Sequence, residues 1–302
     1  MNINARFLQK AWLFLVMAIS VAWFSGCGAS PGSAPNDKKD AVTFSRIVSL
    51  TPSITRSMYQ LEAEDKLAGC SSYCVVEEKD SVIVAGSVVG PDIEKIVSLK
   101  PDLVILSEFI SEKDVKTLEK FGLRVMIFRS PESFDELCLQ FIRLGQLTGK
   151  EKEAERIAGN IKNEVLLLSG EWEQKSPKPG VFMQIGSSPI FTVLPGTYMD
   201  DYIKFCGAEN IAADLSNGIV GREFVVAKNP DYIFIVSMGV AGDHEKEQWS
   251  RFSQMNAVRQ NNIHILDSRI ACEPTPENFI KTLRLMAGYM GKELDGQPLS
   301  DQ

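Results

Sequence analysis

A chain of 302 residues with 44% hydrophobic content is long enough to bury a full core and to divide into two domains. Asp and Glu outnumber Lys and Arg by 39 to 32, a formal net charge of −7. That field excludes nucleic acid and an anionic surface as partners and favours a basic one.

At the N-terminus, Arg6 and Lys10 precede an apolar run, residues 11–24, that is too short to span a bilayer comfortably. Phe24-Ser25-Gly26-Cys27 follows. Small residues before a cysteine, directly after such a run, resemble the lipobox of bacterial lipoproteins, although Phe24 stands where Leu is usual. The resemblance implies a signal peptide over 1–26 and Cys27 as the acylated first residue of the mature chain. The alternative is an ordinary signal peptide with an incidental cysteine. Residues 27–43, rich in Gly, Ser and Pro, read as a flexible tether holding a soluble domain off a membrane, with no other membrane attachment. Gly28 leaves the choice of membrane open. Export implies an oxidising compartment. Five cysteines remain after Cys27, an odd number, so at least one is free or pairs between molecules. Cys138 reads as a small buried hydrophobe. Cys70 and Cys74 either pair or hold a soft metal, and the metal reading lacks the four nitrogen or sulfur ligands that closed sites use.

Beyond the tether, residues 46–50 form a short apolar strand. A Thr-Pro-Ser turn (51–53), a helix (54–61) and a second strand (66–70) follow. Then come a helix over 92–100, a strand over 103–106, a helix over 112–121 and a strand over 125–128. Strands alternating with helices imply a mostly parallel sheet covered on both faces. The longest helical stretch runs from Ser133 to Trp172, opened by Ser133 and Glu136 at capping-box spacing and interrupted at Thr148-Gly149. It ends in a Lys-Ser-Pro-Lys-Pro-Gly segment that no helix survives. The alternation then resumes through 181–185, 199–205, 222–227, 232–236, 263–266 and 276–289.

Two segments occur twice. Residues 92–106 are echoed by 221–236, each a short helix, a Pro-Asp turn and a buried strand. Glu94 and Glu223 each stand seven residues before the turn's proline, Pro101 and Pro230. Ser130-Pro131-Glu132-Ser133-Phe134 is echoed by Thr275-Pro276-Glu277-Asn278-Phe279. The reading is two related lobes: 44–131 and 177–295, with a linking helix over 132–176.

The lipobox, the tether, residues 46–55, Lys100-Pro101-Asp102-Leu103-Val104-Ile105, residues 144–150 and Lys228-Asn229-Pro230-Asp231-Tyr232-Ile233 together resemble the substrate-binding lipoproteins of ABC importers, in the group that carries cobalamin, ferric siderophores and haem. The resemblance covers residues 44–290. It implies an α/β fold: two Rossmann-like lobes joined by one long rigid α-helix, with the ligand cleft between them. It also implies a monomer held at the periplasmic or outer face, without catalysis and without a cofactor or metal of its own. Its ligand would be a metal chelate, cobalamin or another corrinoid first, then a ferric siderophore, then haem. In that family one surface glutamate per lobe docks onto arginines of the permease dimer, positions that Glu94 and Glu223 match. Helix-dipole stabilisation explains each glutamate singly but not the shared register.

The cleft should form from loops at the C-terminal ends of strands. Its candidates are Ser53, Ser72, Tyr73, residues 87–89, 107–109 and 187–191, Trp249, and residues 269–273. By the resemblance, Tyr73 matches a ligand-facing tyrosine and Phe191 a cleft aromatic; flat macrocycles suit such faces. Val88 and Ser107 stand where cobalamin binders show further tryptophans. Arg56 and Arg269 are candidates to face an anionic ligand, or are solvated surface charges. His264 reads as structural, and His244 falls in a mobile polar loop within reach of the cleft. A two-lobed enzyme is the alternative of another class, but the chain has no G-x-S-x-G elbow, Walker loop, dinucleotide fingerprint or HExxH. A rigid linker further implies small lobe closure.

Overall fold

The computed structural model describes residues 42–77, 80–172, 177–237, 240–294 and 297–298. The signal segment and Cys27 lie outside the described residues. Among the described residues no helix is long and apolar enough to cross a membrane.

The first lobe runs β1 (Ile47–Ser49), α1 (Pro52–Gln60), a 3-10 turn (Glu64–Lys66), β2 (Leu67–Cys70), β3 (Ile83–Val84), α2 (Ile93–Ser98), β4 (Leu103–Ser107), α3 (Glu112–Lys120) and β5 (Val125–Phe128). Its five strands are all parallel, in the order β3-β2-β1-β4-β5. β1 and β4 are buried at every position, as central strands covered on both faces must be. The order reverses between β1 and β4, which opens a crevice beyond their C-terminal ends.

The linking stretch is a hairpin of two helices. α4 (Phe134–Thr148) starts at Ser133, whose hydroxyl accepts from Glu136 N at 3.2 Å, while Glu136 reaches back to accept from Glu132 N at 2.7 Å. It ends at Gly149, where φ is +73°. There Lys150 N donates to Gly145 O at 2.7 Å and Gly149 N to Gln146 O at 3.4 Å, the paired bonds of a Schellman cap. The chain turns back into α5 (Glu151–Trp172). Asp135 pairs with Lys162 at 2.6 Å, and Gly145 lies against Ala154, so the two helices are antiparallel. α5 alone, about 33 Å long at 1.5 Å per residue, runs from the first lobe to the second. The break at Thr148-Gly149 is therefore a reversal of direction and not an interruption in one rod.

The second lobe runs β6 (Gly180–Ser187), β7 (Ile190–Thr192), α6 (Tyr198–Phe205), β8 (Glu209–Asn210), α7 (Arg222–Lys228), β9 (Tyr232–Ser237), α8 (Val240–Ser250), α9 (Asn256–Arg259), β10 (Ile263–Asp267), α10 (Ser268–Ala271) and α11 (Pro276–Tyr289). A small hairpin of β11 (Glu293–Leu294) and β12 (Gln297–Pro298) follows. The sheet order is β10-β9-β6-β7, with β8 also paired to β6; every pairing is parallel except β6 with β7. Residues 240–250, expected as a polar loop around His244, are helix α8. Its inward positions are Gly242, Glu245 and Trp249.

The repeated Pro-Asp turn has one structural job in both lobes. Lys100 and Asn229, just before the prolines, both take left-handed φ, +48° and +47°. Asp102 N then donates to Arg46 O at 2.9 Å while its carboxylate accepts from Ser45 N at 2.8 Å and Arg46 N at 3.0 Å. Asp231 repeats this: its N donates to Gly180 O at 2.8 Å and its carboxylate accepts from Gly180 N at 2.9 Å. Each aspartate thus ties the start of an inner strand, β4 or β9, to the start of its neighbour, β1 or β6.

Outer clusters cover each sheet separately: Val48, Leu50, Ile96 and Leu106 in the first lobe, Phe182, Val225, Ile235 and Trp249 in the second. The inner cluster is single. It runs from Ile47, Met58 and Ile105 through Leu137, Phe141 and Leu168 to Met183, Phe234 and Met286. At its centre, Phe279 of α11 stacks on Phe134 of α4 (4.2 Å, 26°) and on Tyr202 of α6 (4.5 Å, 30°). The lobes share one core in addition to a connecting helix.

Candidate functional site

A cavity of about 350 Å³ opens at the junction of the lobes, within the range of small-molecule sites. The first lobe lines it from the C-terminal ends of all five strands: Thr51, Pro52 and Ser53 after β1, Tyr73 after β2, Val88 after β3, Ser107, Glu108 and Phe109 at the end of β4, and Phe128, Arg129 and Ser130 at the end of β5. α4 adds Gln140, and the second lobe adds Ser268, Arg269, Cys272, Glu273 and Pro274.

These loops are laced to one another. Ser107 Oγ donates to Val88 O at 3.1 Å, Glu108 Oε1 accepts from Ser130 N at 2.9 Å, and Gln140 Nε2 donates to Arg129 O at 3.1 Å. Polar side chains consumed in this way fix the wall's shape. Among the polar groups that remain for a ligand, two matter most. The Thr51 hydroxyl is buried without a partner at the start of α1, which has no side-chain cap. The Arg129 guanidinium makes no hydrogen bond or ion pair among the described residues. Tyr73 and Phe109 are 69% and 66% exposed, two aromatic side chains on the wall that the first lobe supplies.

The charges around the cavity are largely matched. Arg269 forks onto Asp267 at 2.6 and 3.1 Å, which holds the Asp267 carboxyl below its usual range. Arg56 of α1 pairs across the lobes with Glu273. Beside it Gln60 Nε2 donates to Thr275 Oγ1 at 3.1 Å and Glu277 Oε2 at 2.9 Å. Arg56 is thus a bridge between lobes and does not line the cavity; its charge is spent on Glu273.

Of the other expected residues, the structure brings Ser53, Tyr73 and Arg269 together at the cavity. Ser72 is exposed beside it, with its N–H given to Gly86 O at 2.9 Å. Phe191, 38% exposed on β7, lies against Gly218 and outside the cavity wall. Trp249 is fully buried: its ring packs edge-on against Phe182 at 5.7 Å, and its Nε1 donates to Gln184 Oε1 at 2.7 Å. Gln184 donates on to Glu245, which pairs with Arg222 at 2.9 Å, and Arg222 lies over the Trp249 ring at 4.5 Å. Trp249 is a core residue and cannot touch a ligand. His244 lies exposed on α8, outside the cavity wall, and His264 stacks on Tyr289 at 4.1 Å.

Phe128, Arg129, Ser130 and Gln140 were not anticipated. The rule that selected the other loops also selects residues 129–130, which directly follow β5, but Ser130-Pro131 read as a helix start. Gln140 carries no sequence signal. Glu94 and Glu223 are exposed in the first turns of α2 and α7. Each helix precedes a parallel inner strand, so both first turns sit at the sheet edge from which the cavity loops also emerge.

The family described as periplasmic binding protein matches residues 47–270. The ABC transporter substrate-binding lipoprotein YvrC of Bacillus subtilis is 25% identical over 89% of this chain and 93% of its own length. The vitamin B12-binding protein of Vibrio parahaemolyticus is 25% identical over 78% of this chain and 85% of its own. Among solved structures, a possible iron-binding (periplasmic solute-binding) protein from Staphylococcus epidermidis superposes with a TM-score of 0.71 at 25% identity, over 83% of this chain and 100% of that one. The periplasmic vitamin B12 binding protein BtuF of Vibrio cholerae gives 0.70 at 24% identity, over 83% and 98%, a likeness of fold.

Proposed function

Because the chain belongs to the periplasmic binding protein family, whose members here are solute-binding proteins and not enzymes, we propose that it captures a corrinoid such as cobalamin outside the cytoplasm and delivers it to an ABC importer. The observation that carries this reading is the pair of exposed aromatics, Tyr73 and Phe109, on one wall of a cavity between the lobes. Aromatic faces receive a flat macrocycle without needing its metal. Charge points the same way. Glu108, Glu273 and Asp267 balance Arg129, Arg269 and Arg56, so the site favours a ligand of low net charge over a polyanion. Relatives named as vitamin B12-binding proteins support this reading.

Arg129 favours one second reading, an anionic chelate such as a ferric siderophore or haem, whose carboxylates would meet the unpartnered guanidinium. In either case Cys27 would anchor the chain by lipid, and Glu94 and Glu223 would dock it on two basic sockets of a permease dimer. Two exposed acids at equivalent places on two related lobes support that docking.

Calorimetric titration of the chain from Ala41 onward with cyanocobalamin, a ferric siderophore panel and haem tests the ligand. The expected result is one-to-one submicromolar binding of cyanocobalamin, weakened about tenfold by Tyr73→Ala, the scale of one lost aromatic contact. Replacing Glu94 and Glu223 together by Lys should leave this titration unchanged and abolish uptake in cells. Binding only of an anionic chelate, lost in Arg129→Ala, would move the assignment to the second reading. Binding of none of them would overturn both.

A further inference from the structure

β2 ends at Cys70, and the chain turns at once: Cys74 N donates to Ser71 O at 3.1 Å. This folds the Cys74 side chain back onto the end of the strand, where its Sγ lies 4.0 Å from the carbonyl oxygen of Ser49, the residue paired with Cys70 across β1 and β2. Two hydroxyls complete the surroundings. Ser71 Oγ and Thr55 Oγ1 each lie 3.2 Å from Cys74 Sγ, and Thr55 in turn donates to Ser49 Oγ at 3.1 Å. Ser49, Thr55 and Ser71 are wholly buried, so these groups are fixed in place.

Such a nest favours a thiolate. The neighbouring Cys70 thiol and Ser71 hydroxyl bring the Cys74 thiol down to about 6 against the opposing effect of burial, while Cys70 is pushed up by Cys74 and by burial. The other described cysteines differ. Burial pushes Cys138 and Cys206 up to about 12, and Cys272, although exposed, is raised to about 11 by the surrounding protein and the nearby Glu273. Among the described residues no group of three metal-ligating side chains occurs. Cys70 is 1% exposed and Cys74 is only partly buried, so Cys74 is the more accessible of the two.

We propose that Cys70 and Cys74 are a redox-active dithiol that closes to an intramolecular disulfide by exchange with an external disulfide. The Cys74 thiolate attacks one sulfur of RS–SR, forming a mixed disulfide and releasing RS⁻. Cys70 then gives its proton to the released thiolate or to water, and its sulfur attacks Cys74 Sγ and displaces the second RS⁻. The protein loses two hydrogens and two electrons, and RS–SR becomes two RSH. The bridge would clamp both ends of the Ser71–Tyr73 segment to the end of β2. Through the reading of the cleft given above, it would hold Tyr73 against the ligand. The exchange itself stands without that reading.

The test uses the whole reduced chain and oxidised glutathione, with remaining thiols trapped by N-ethylmaleimide in acid before peptide mapping. The expected product is a peptide in which Cys70 and Cys74 have lost two hydrogens and carry no maleimide. Cys70→Ser should stop at a glutathione adduct on Cys74, and Cys74→Ser should leave Cys70 unmodified. At pH 7 iodoacetamide should label Cys74 faster than Cys272 by about a hundredfold or more, as thiolate fraction dictates. The labelling rate should have its midpoint near pH 6, moving upward in Ser71→Ala. Free thiols at both positions after glutathione treatment, or first reaction at Cys272, would overturn the proposal. Ligand titration of the reduced and bridged forms separates the two questions. Loss of binding in both forms would count against the cleft reading and leave the exchange result intact.

Discussion

Trp249 and His264 show how a residue's type can mislead about its place. Trp249 is expected at the cleft because loops at the C-terminal ends of strands build it. In the structure its segment belongs to α8, whose inward positions are Gly242, Glu245 and Trp249. No apolar periodicity marks such a face, so burial there depends on the partners Gln184 and Arg222, 65 and 27 residues away in sequence. Tyr73 and Ser53 were legible because each directly follows a clear strand. His264, expected as structural, is stacked on Tyr289 with Nε2 buried and unpartnered. Burial, with Lys246 nearby, lowers its pKa from 6.5 to about 4. The unfolded chain therefore takes up this proton below pH 6.5 and the folded chain only near 4. The stabilising contribution is whole above pH 6.5 and is lost as pH falls towards 4. Urea melts at pH 7 and pH 5 should show His264→Phe removing about 1–2 kcal/mol of the wild-type loss, discounted for partial exposure. An identical loss in both proteins would contradict this.

At the scale of elements, the sequence fully announced the ends of the linking stretch and concealed its direction. The capping box at Ser133 and the glycine at 149 are local signals, and both function as such. Whether the chain continues or reverses after Gly149 is decided by tertiary contact, chiefly the close approach of Gly145 to Ala154. A Cβ added at Gly145 would lie 2.5 Å from the Ala154 Cβ. Gly159 and Gly170, on the same hairpin, have open space at that position. Opposite signs follow for one type of substitution. Gly145→Ala should destabilise the protein by about 1–3 kcal/mol through overpacking. Gly159→Ala should stabilise it by about 0.5–1 kcal/mol through helix propensity. Denaturant midpoints measured side by side would expose an error if both moved the same way. The short strands β3, β7 and β8 escaped the sequence reading because two or three residues carry no period.

For the molecule as a whole, the repeated Pro-Asp turns made the two lobes readable in advance, since each aspartate clamps the same pair of strands. The shared inner core was not readable. It depends on Phe134, Tyr202 and Phe279 meeting from three helices, and no local pattern assigns an apolar helix face to one lobe or the other. With that stack, the Arg56–Glu273 bridge and α5 all crossing the junction, swinging one lobe would break packing at dispersion range. Small-angle scattering should therefore show nearly the same radius of gyration with and without bound ligand. A compaction of several per cent would refute this.

The common core also makes heat a reporter of cleft occupancy. Lobes with separate cores would melt separately, and a ligand would protect only what it touched. Here α4 and α11 stack directly through Phe134 and Phe279, and α5 packs beside them, so disorder in one half removes the packing surface of the other. A ligand bound at the rim is then linked to the unfolding equilibrium of the whole chain, adding about 2.7 kcal/mol at a hundred times its dissociation constant. A library of unlabelled chelates could be ranked by the temperature at which the chain melts, before any of them has been named as its cargo.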